Sequence, residues 1–230
     1  MVAAEAVAKR MEATPVNATI DANAFQAIYG IQGRVTVEQT GEAKRVQIDQ
    51  ADLEPTLTSR TVPKRGEKAY LYAKLIMPRT SAILPGQVSL FRDSTFVGTG
   101  RFPQLAGGEE HELGFGQDDN IRVKYAVAEE KRSEGGIITS SKTEAKNFRI
   151  SVKSLHQRPI AVTVIDQQPV SLNQDVKVEF TSKVQPTRKD VEDQRGILAW
   201  DFTMQPDEER VLEFGHRITW PSAKQIDVTN

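Results

Sequence analysis

Enzymatic chemistry needs a nucleophile, a proton carrier or a metal-binding set, and this sequence is sparing with all three. It contains no cysteine, which excludes thiol catalysis, disulfides and cysteine-held zinc or iron–sulfur groups. Its three histidines are His111, His156 and His216. None stands at strand or helix spacing from another, so no element presents a local zinc pair. His216 falls on the apolar parity of its segment and reads as a hydrogen-bonded core residue. A nucleophile would have to be Ser or Thr, yet there is no Gly-x-Ser-x-Gly elbow. His156 follows Ser154 on the same parity at a strand end, a proximity that reads as incidental, while a triad assembled through space stays open. Asp118-Asp119-Asn120 is the most tempting acidic cluster. Adjacent carboxylates diverge on an extended chain, so the cluster reads as a turn whose Asp and Asn cap backbone amides, not as a calcium ladder. Asp190, Glu192 and Asp193, flanked by Arg188, Lys189 and Arg195, read as a solvated loop, a place where a binding site can sit. Gly114-Phe115-Gly116 lacks the Lys and the helix of a phosphate loop. Trp200 and Trp220 could stack on sugars, but each lies on an apolar strand face and reads as core. Tyr70 and Tyr72, opposite the Leu71 face, are better placed for exposure. No catalytic, cofactor-binding or metal-binding residue is assigned.

The elements that would position these groups are strands. Leu71, Ala73 and Leu75 alternate with Tyr70, Tyr72 and Lys74. Gln87–Arg92 and Thr95–Arg101 form a hairpin around Asp93-Ser94, and Val35 and Val37 with Val46 and Ile48 form an earlier one around Thr40-Gly41-Glu42. Glu110–Phe115 precedes the cleanest alternation, Ile121, Val123, Tyr125 and Val127 against Arg122, Lys124 and Ala126. The stretch from Ala128 to Lys146 is charged, contains Gly135-Gly136, and reads as a boundary or an exposed excursion. Beyond it Phe148, Ile150 and Val152 share a face. Ile160–Ile165 is apolar nearly throughout, as a strand covered on both sides requires. Val176, Val178 and Phe180 form a further set. So do Leu198, Trp200, Phe202 and Met204, and then Leu212, Phe214, Ile218 and Trp220. Turn signals every few strand lengths indicate a sandwich. Residues Ala3–Glu12, rich in helix formers and stopped at Thr14-Pro15, read as the end of a truncated helix or coiled coil.

Several ordered motifs together resemble one family. Gly114-Phe115-Gly116-Gln117-Asp118-Asp119-Asn120-Ile121 with Val123-Lys124 is similar to its central motif. Phe148-Arg149-Ile150-Ser151-Val152, Pro159-Ile160-Ala161-Val162, Gly196-Ile197-Leu198-Ala199-Trp200 and Arg217-Ile218-Thr219-Trp220-Pro221 follow in order. Gly33-Arg34-Val35, Val62-Pro63 and Ala69-Tyr70-Leu71 are similar to its start. Over roughly residues 20–223 the chain resembles the C-terminal domain of unknown function of the mucoidy inhibitor A family. The resemblance implies an exported bacterial protein with a small N-terminal β domain, a coiled coil and this module last. It implies a periplasmic or cell-envelope location and a segment cut from a longer chain. The family's name describes an exopolysaccharide phenotype and carries over no catalytic residue.

Composition agrees with a folded module. Hydrophobic residues are 38% and charged residues 27% of 230, too apolar for a disordered chain. Lys and Arg total 30 against 31 Asp and Glu, so no net field draws the chain to nucleic acid or an acidic membrane. No apolar run reaches membrane-helix length, so direct membrane insertion is not expected. The expected fold is all-β and antiparallel, sandwich-like, in two packed parts with a short N-terminal helix remnant. Residues 1–19 form the helix end, 20–130 the first β part, 131–146 a charged linker or excursion, 147–223 an immunoglobulin-like sandwich and 224–230 a tail. The expected function is a non-enzymatic envelope module that binds a protein partner or organises a larger assembly through a coiled coil, without a cofactor. The alternative is a carbohydrate-binding module or carbohydrate-active enzyme linked to exopolysaccharide. Exposed apolar strand edges would indicate partner binding by strand addition.

Overall fold

The computed structural model describes residues 19–23, 26–30, 36, 47–48, 50–78, 83–135 and 140–226. The expected N-terminal helix and the hairpin built on Val35 and Val46 lie outside these residues. The described chain is nearly all strand: β1 (Thr19–Asn23), β2 (Gln26–Gly30), β3 (Thr56–Thr61), β4 (Ala69–Ile76), β5 (Gly86–Arg92), β6 (Thr95–Phe102), β7 (Glu110–Gln117), β8 (Ile121–Gly135), β9 (Ser141–Ser154), β10 (Ile160–Gln167), β11 (Lys177–Ser182), β12 (Arg188–Lys189), β13 (Ile197–Met204) and β14 (Glu209–Pro221), with a single 3-10 turn at Val191–Asp193. The all-β, sandwich-like fold expected from the alternation is what forms.

The chain divides into two compact units. The first comprises residues 1–54, 75–86 and 101–111. In it β1 pairs antiparallel with β2, and Ile83 and Leu105 exchange both backbone hydrogen bonds at 2.9 and 3.0 Å. The second unit comprises residues 55–74, 87–100 and 112–230 and holds the sandwich. One sheet has the order β12-β13-β10-β3-β4-β7 and the other β11-β14-β9-β8. β10 is central, pairing antiparallel with β13 and parallel with β3, which explains its apolar run. That parallel pair joins strands about a hundred positions apart, and no local pattern announces it.

The predicted core faces meet. Ile150, Val152, Val162, Val164, Leu198, Trp200 and Phe214 belong to one buried cluster with Leu71, Ile121 and Val123. Phe214 is its hub, with ring centroids 5.0 Å from Trp200, 5.5 Å from Phe148 and 6.3 Å from Phe180. Trp200 is 1% exposed, and its indole N–H donates to Val184 O at 2.8 Å. Trp220, expected in the core, is instead half-buried and lines a shallow cleft with Arg132, Glu134 and Lys142. The reason lies in β8 and β9. The charged segment does not break the chain: Ile121–Gly135 and Ser141–Ser154 continue as strands, paired through to Gly135 and Ser141 with a register shift between Val127 and Glu129. Facing charges make this possible. Glu144 pairs with Lys146 at 3.1 Å and Arg132 at 3.3 Å, so a polar row takes the place of an apolar one where Trp220 lies. The β5–β6 hairpin turns at Asp93 and Ser94, with φ of 48° and 64°, the double left-handed geometry that matches strand twist.

Candidate functional site

The acidic clusters separate in the fold. Asp118 sits in the β7–β8 connection, 2% exposed. Its N–H donates to Ala69 O at 2.9 Å, and its carboxylate accepts the Asn120 N–H at 3.2 Å, the capping role expected. The carboxylate also meets His156 Nε2 at 2.9 and 3.1 Å. Ser154 Oγ accepts the backbone N–H of His156 at 3.3 Å, so the Ser154–His156 proximity is a local turn and not chance. Serine, histidine and aspartate therefore converge, but not as a nucleophilic triad. Asp118 occupies the ring nitrogen, and the Ser154 hydroxyl, fully buried, serves the main chain. The arrangement clasps two loops. Asp118→Ala should cost about 2 kcal/mol by removing two hydrogen bonds to a buried carboxylate, and urea unfolding checks it. A loss under about 0.5 kcal/mol would mean that the clasp is idle.

The loop from Asp190 to Gly196 is different. Asp190, Glu192 and Asp193 have φ of 53°, 56° and 59°. This left-handed region disfavours side-chain-bearing residues by about 1–2 kcal/mol each. Such a run persists only if its surroundings enforce it. Asp190 Oδ1 accepts the Gly196 N–H at 2.7 Å, and Gln168 N–H donates to Gly196 O at 2.9 Å. Gly196 has φ 82°, and a Cβ there would lie 2.7 Å from Gln168 O, so only glycine fits. At the base of the loop, Arg188 grips Asp201 through Nε at 2.7 Å and Nη2 at 2.8 Å, and Thr163 and Thr187 add hydrogen bonds at 2.8 Å each. These contacts, the Arg188 guanidinium first, hold the Asp201 carboxyl down to about 2.

A pocket of about 220 Å³ opens beside this loop, lined by Lys64 and Arg65 from the β3–β4 turn, Asp166 and Gln167 at the end of β10, and Glu192 and Gln194 from the loop. Among the described residues neither Lys64 nor Arg65 makes an ion pair. Asp166 is 3% exposed. Its Oδ1 accepts the Gln167 N–H at 2.7 Å, whereas Oδ2 has no partner. Burial pushes this carboxyl up to about 6, with the Lys64 charge pulling against it. Two further groups, the half-buried Tyr125 and the buried His216, are also shifted. The Tyr125 hydroxyl is raised, by burial first and then by Asp166. His216 is lowered, by burial first and then by Lys146. His216 is buried as expected, but its Nε2 has no partner. A buried, shifted and half-unsatisfied carboxyl such as Asp166 beside a strained loop marks a functional site more often than a structural one.

Other candidate surfaces differ in how far their groups are engaged. A cleft on the four-stranded sheet carries Glu129 and Glu213, and both are ion-paired, Glu129 with Lys131 and Glu213 with Arg149 and Lys183. Tyr70 is 46% exposed. Tyr72 is half-buried, with the Arg60 guanidinium 4.6 Å above its ring, and Arg60 is itself paired with Glu112. The β8 edge is guarded: Glu67 Oε1 accepts the Tyr125 N–H at 2.8 Å, and charged residues follow to Glu134, the usual defence against strand addition. Among the described residues no three His, Asp or Glu side chains converge to hold a metal ion, and no helix is long and apolar enough to cross a membrane.

Sequence missed Asp166 as a site residue, although a signal was present. It follows Ile160, Val162 and Val164 on the core parity, where an aspartate needs an explanation. The Asp118–His156 bond spans 38 positions and had no local signal.

No solved structure matches this chain. Protein F37C4.5 of Caenorhabditis elegans is 22% identical over 218 residues, covering 91% of this chain and 39% of the worm protein. The chain thus spans well under half the length of that relative. A family model matches residues 2–222, nearly the whole β region described above, and the chain belongs to the family it defines, the domain of unknown function DUF4139.

Proposed function

We propose that this domain is a non-enzymatic interaction module that docks a protein partner on the loop end of its sandwich, around Asp190–Gly196. The observation that supports this reading is the braced left-handed loop. Rigid, strained loops on a sandwich present fixed side chains to a partner at little ordering cost. Among the described residues Lys64 and Arg65 beside it make no ion pair and are available for intermolecular pairing. The guarded β8 edge favours docking over strand addition.

The finer identity belongs to the same proposal: the C-terminal domain of the mucoidy inhibitor A family, working in the bacterial periplasm or cell envelope, on the motifs given above. Glycan binding is supported by one observation, the exposed Tyr70 beside the Arg60–Glu112 pair.

The test sets the two readings against each other. In full-length protein, benzoylphenylalanine replacing Glu192 should give a discrete cross-linked protein species in envelope extract. The same probe replacing Arg122 should give none, and a glycan array should stay blank. Glycan binding abolished by Tyr70→Ala, with no adduct from position 192, reverses the assignment.

A further inference from the structure

On the other side of the same loop lies a second, larger groove of about 570 Å³, within the range that bound groups fill. Ile218 and Val178 belong to its lining, with Val170 and Leu172 from the 168–176 connection. Leu172 is 92% exposed and Val170 is also open to solvent, so the rim presents aliphatic surface that folding leaves uncovered. That rim is braced. Ser171 Oγ donates to Asn173 O at 2.8 Å, and Asn173 Oδ1 accepts the Asp175 N–H at 3.0 Å. Asn173 O accepts the Val176 N–H at 3.1 Å, and Asp175 is paired with Lys224. The groove wall is therefore preformed, and binding need not order it.

Arg195 also lines this groove. It is exposed and makes no ion pair or hydrogen bond among the described residues. Asp175, in the connection that forms the rim, is already taken by Lys224. An unpaired guanidinium beside open aliphatic surface is complementary to a carboxylate carried next to an aliphatic side chain. Gln167 and Asn173, also in the lining, offer amide groups that suit a peptide main chain better than a hydrocarbon tail.

We infer that this groove binds a short partner peptide segment in which a Leu, Ile or Val lies within two positions of an Asp or Glu, the aliphatic group packing on Leu172 and Val178 and the acid pairing with Arg195. The inference rests on the interaction-module reading and names the chemistry of the partner.

A random heptapeptide library displayed on phage and selected on the full chain tests it. Selected sequences should carry an aliphatic residue beside an acidic one. A synthetic consensus peptide should bind Arg195→Glu and Leu172→Asp at least about tenfold more weakly, a factor worth 1.4 kcal/mol, with circular dichroism unchanged. Because a lost site and a misfolded chain look alike, the charge is then swapped: the same peptide with Lys replacing its acid should regain affinity for Arg195→Glu. Overturning results are a library that enriches nothing, enriched peptides indifferent to Arg195→Glu, or failure of the swapped pair. Cross-linking through position 192 in the face of such a result would leave the interaction module standing and remove only this groove.

Discussion

Trp200→Ala should destabilise the sandwich by about 3–5 kcal/mol, the usual cost of truncating a buried aromatic residue. Three losses combine. The indole is 1% exposed and packs 5.0 Å from Phe214, so its removal opens a cavity between the sheets at the point where they join. Its N–H bond to Val184 O, 2.8 Å long, disappears. Its in-register neighbour across the strand pair, Val164, loses a packing partner. For a chain of this size the melting temperature should fall by roughly 6–20 °C. Trp220→Ala is the internal control. Half-buried on a polar row, that side chain should matter by less than about 1 kcal/mol. Urea and thermal unfolding followed by circular dichroism read both. Equal losses at the two positions would mean that the core does not centre on the Trp200–Phe214 contact.

Asp166→Asn should have the opposite effect: the variant should be more stable than the parent at pH 7.5. In the folded chain the carboxyl titrates at about 6 against an ordinary value of 3.8. The folded state therefore holds its proton more tightly than the unfolded state does. Stability is greatest below about pH 4, falls as pH rises toward 6, and stays lower above it. The full difference corresponds to about 3 kcal/mol. Asparagine keeps the acceptor for the Gln167 N–H and removes the buried charge, at the cost of an amide that needs a partner. The net gain at pH 7.5 should be about 1–2 kcal/mol, vanishing near pH 4. His216 gives the variant a residual slope of the other sign. Its folded value is lowered, so the unfolded chain binds its proton first, and stability rises with pH through the histidine range. Chemical denaturation at a series of pH values reads both effects. A variant that retains the parent's decline between pH 4 and 6 would clear Asp166 of responsibility. A carboxylate kept where its charge destabilises the fold is what a site under functional demand looks like. A loss of partner cross-linking in the stabilised variant would connect that demand to the pocket.

The alternation at Phe148, Ile150 and Val152, at Leu198 and Trp200, and at Leu212 and Phe214 was enough to identify strands and their buried faces. Side chains on a strand point to alternate sides, so burial of one face leaves its period in the local sequence. The turn at Asp93-Ser94, the cap made by Asp118 and the loop character of Asp190–Asp193 were legible for the same reason, since turn chemistry acts over a few residues. Three features were not legible: the parallel pairing of β3 with β10, the bond between Asp118 and His156, and the half-exposure of Trp220. Each depends on which distant strand lies alongside, and nothing in a local pattern records that choice. The loop illustrates both levels at once. Its acids and its glycine are written in the sequence. Its left-handed conformation, the unpaired carboxylate beside it and the pocket they share exist only because β10, β13 and the β3–β4 turn end together. Strand identity and face came from the sequence through the two-residue period of the extended chain. The site was decided by tertiary structure, because the desolvation that shifts Asp166 and the contacts that enforce the loop arise only between residues far apart in the chain.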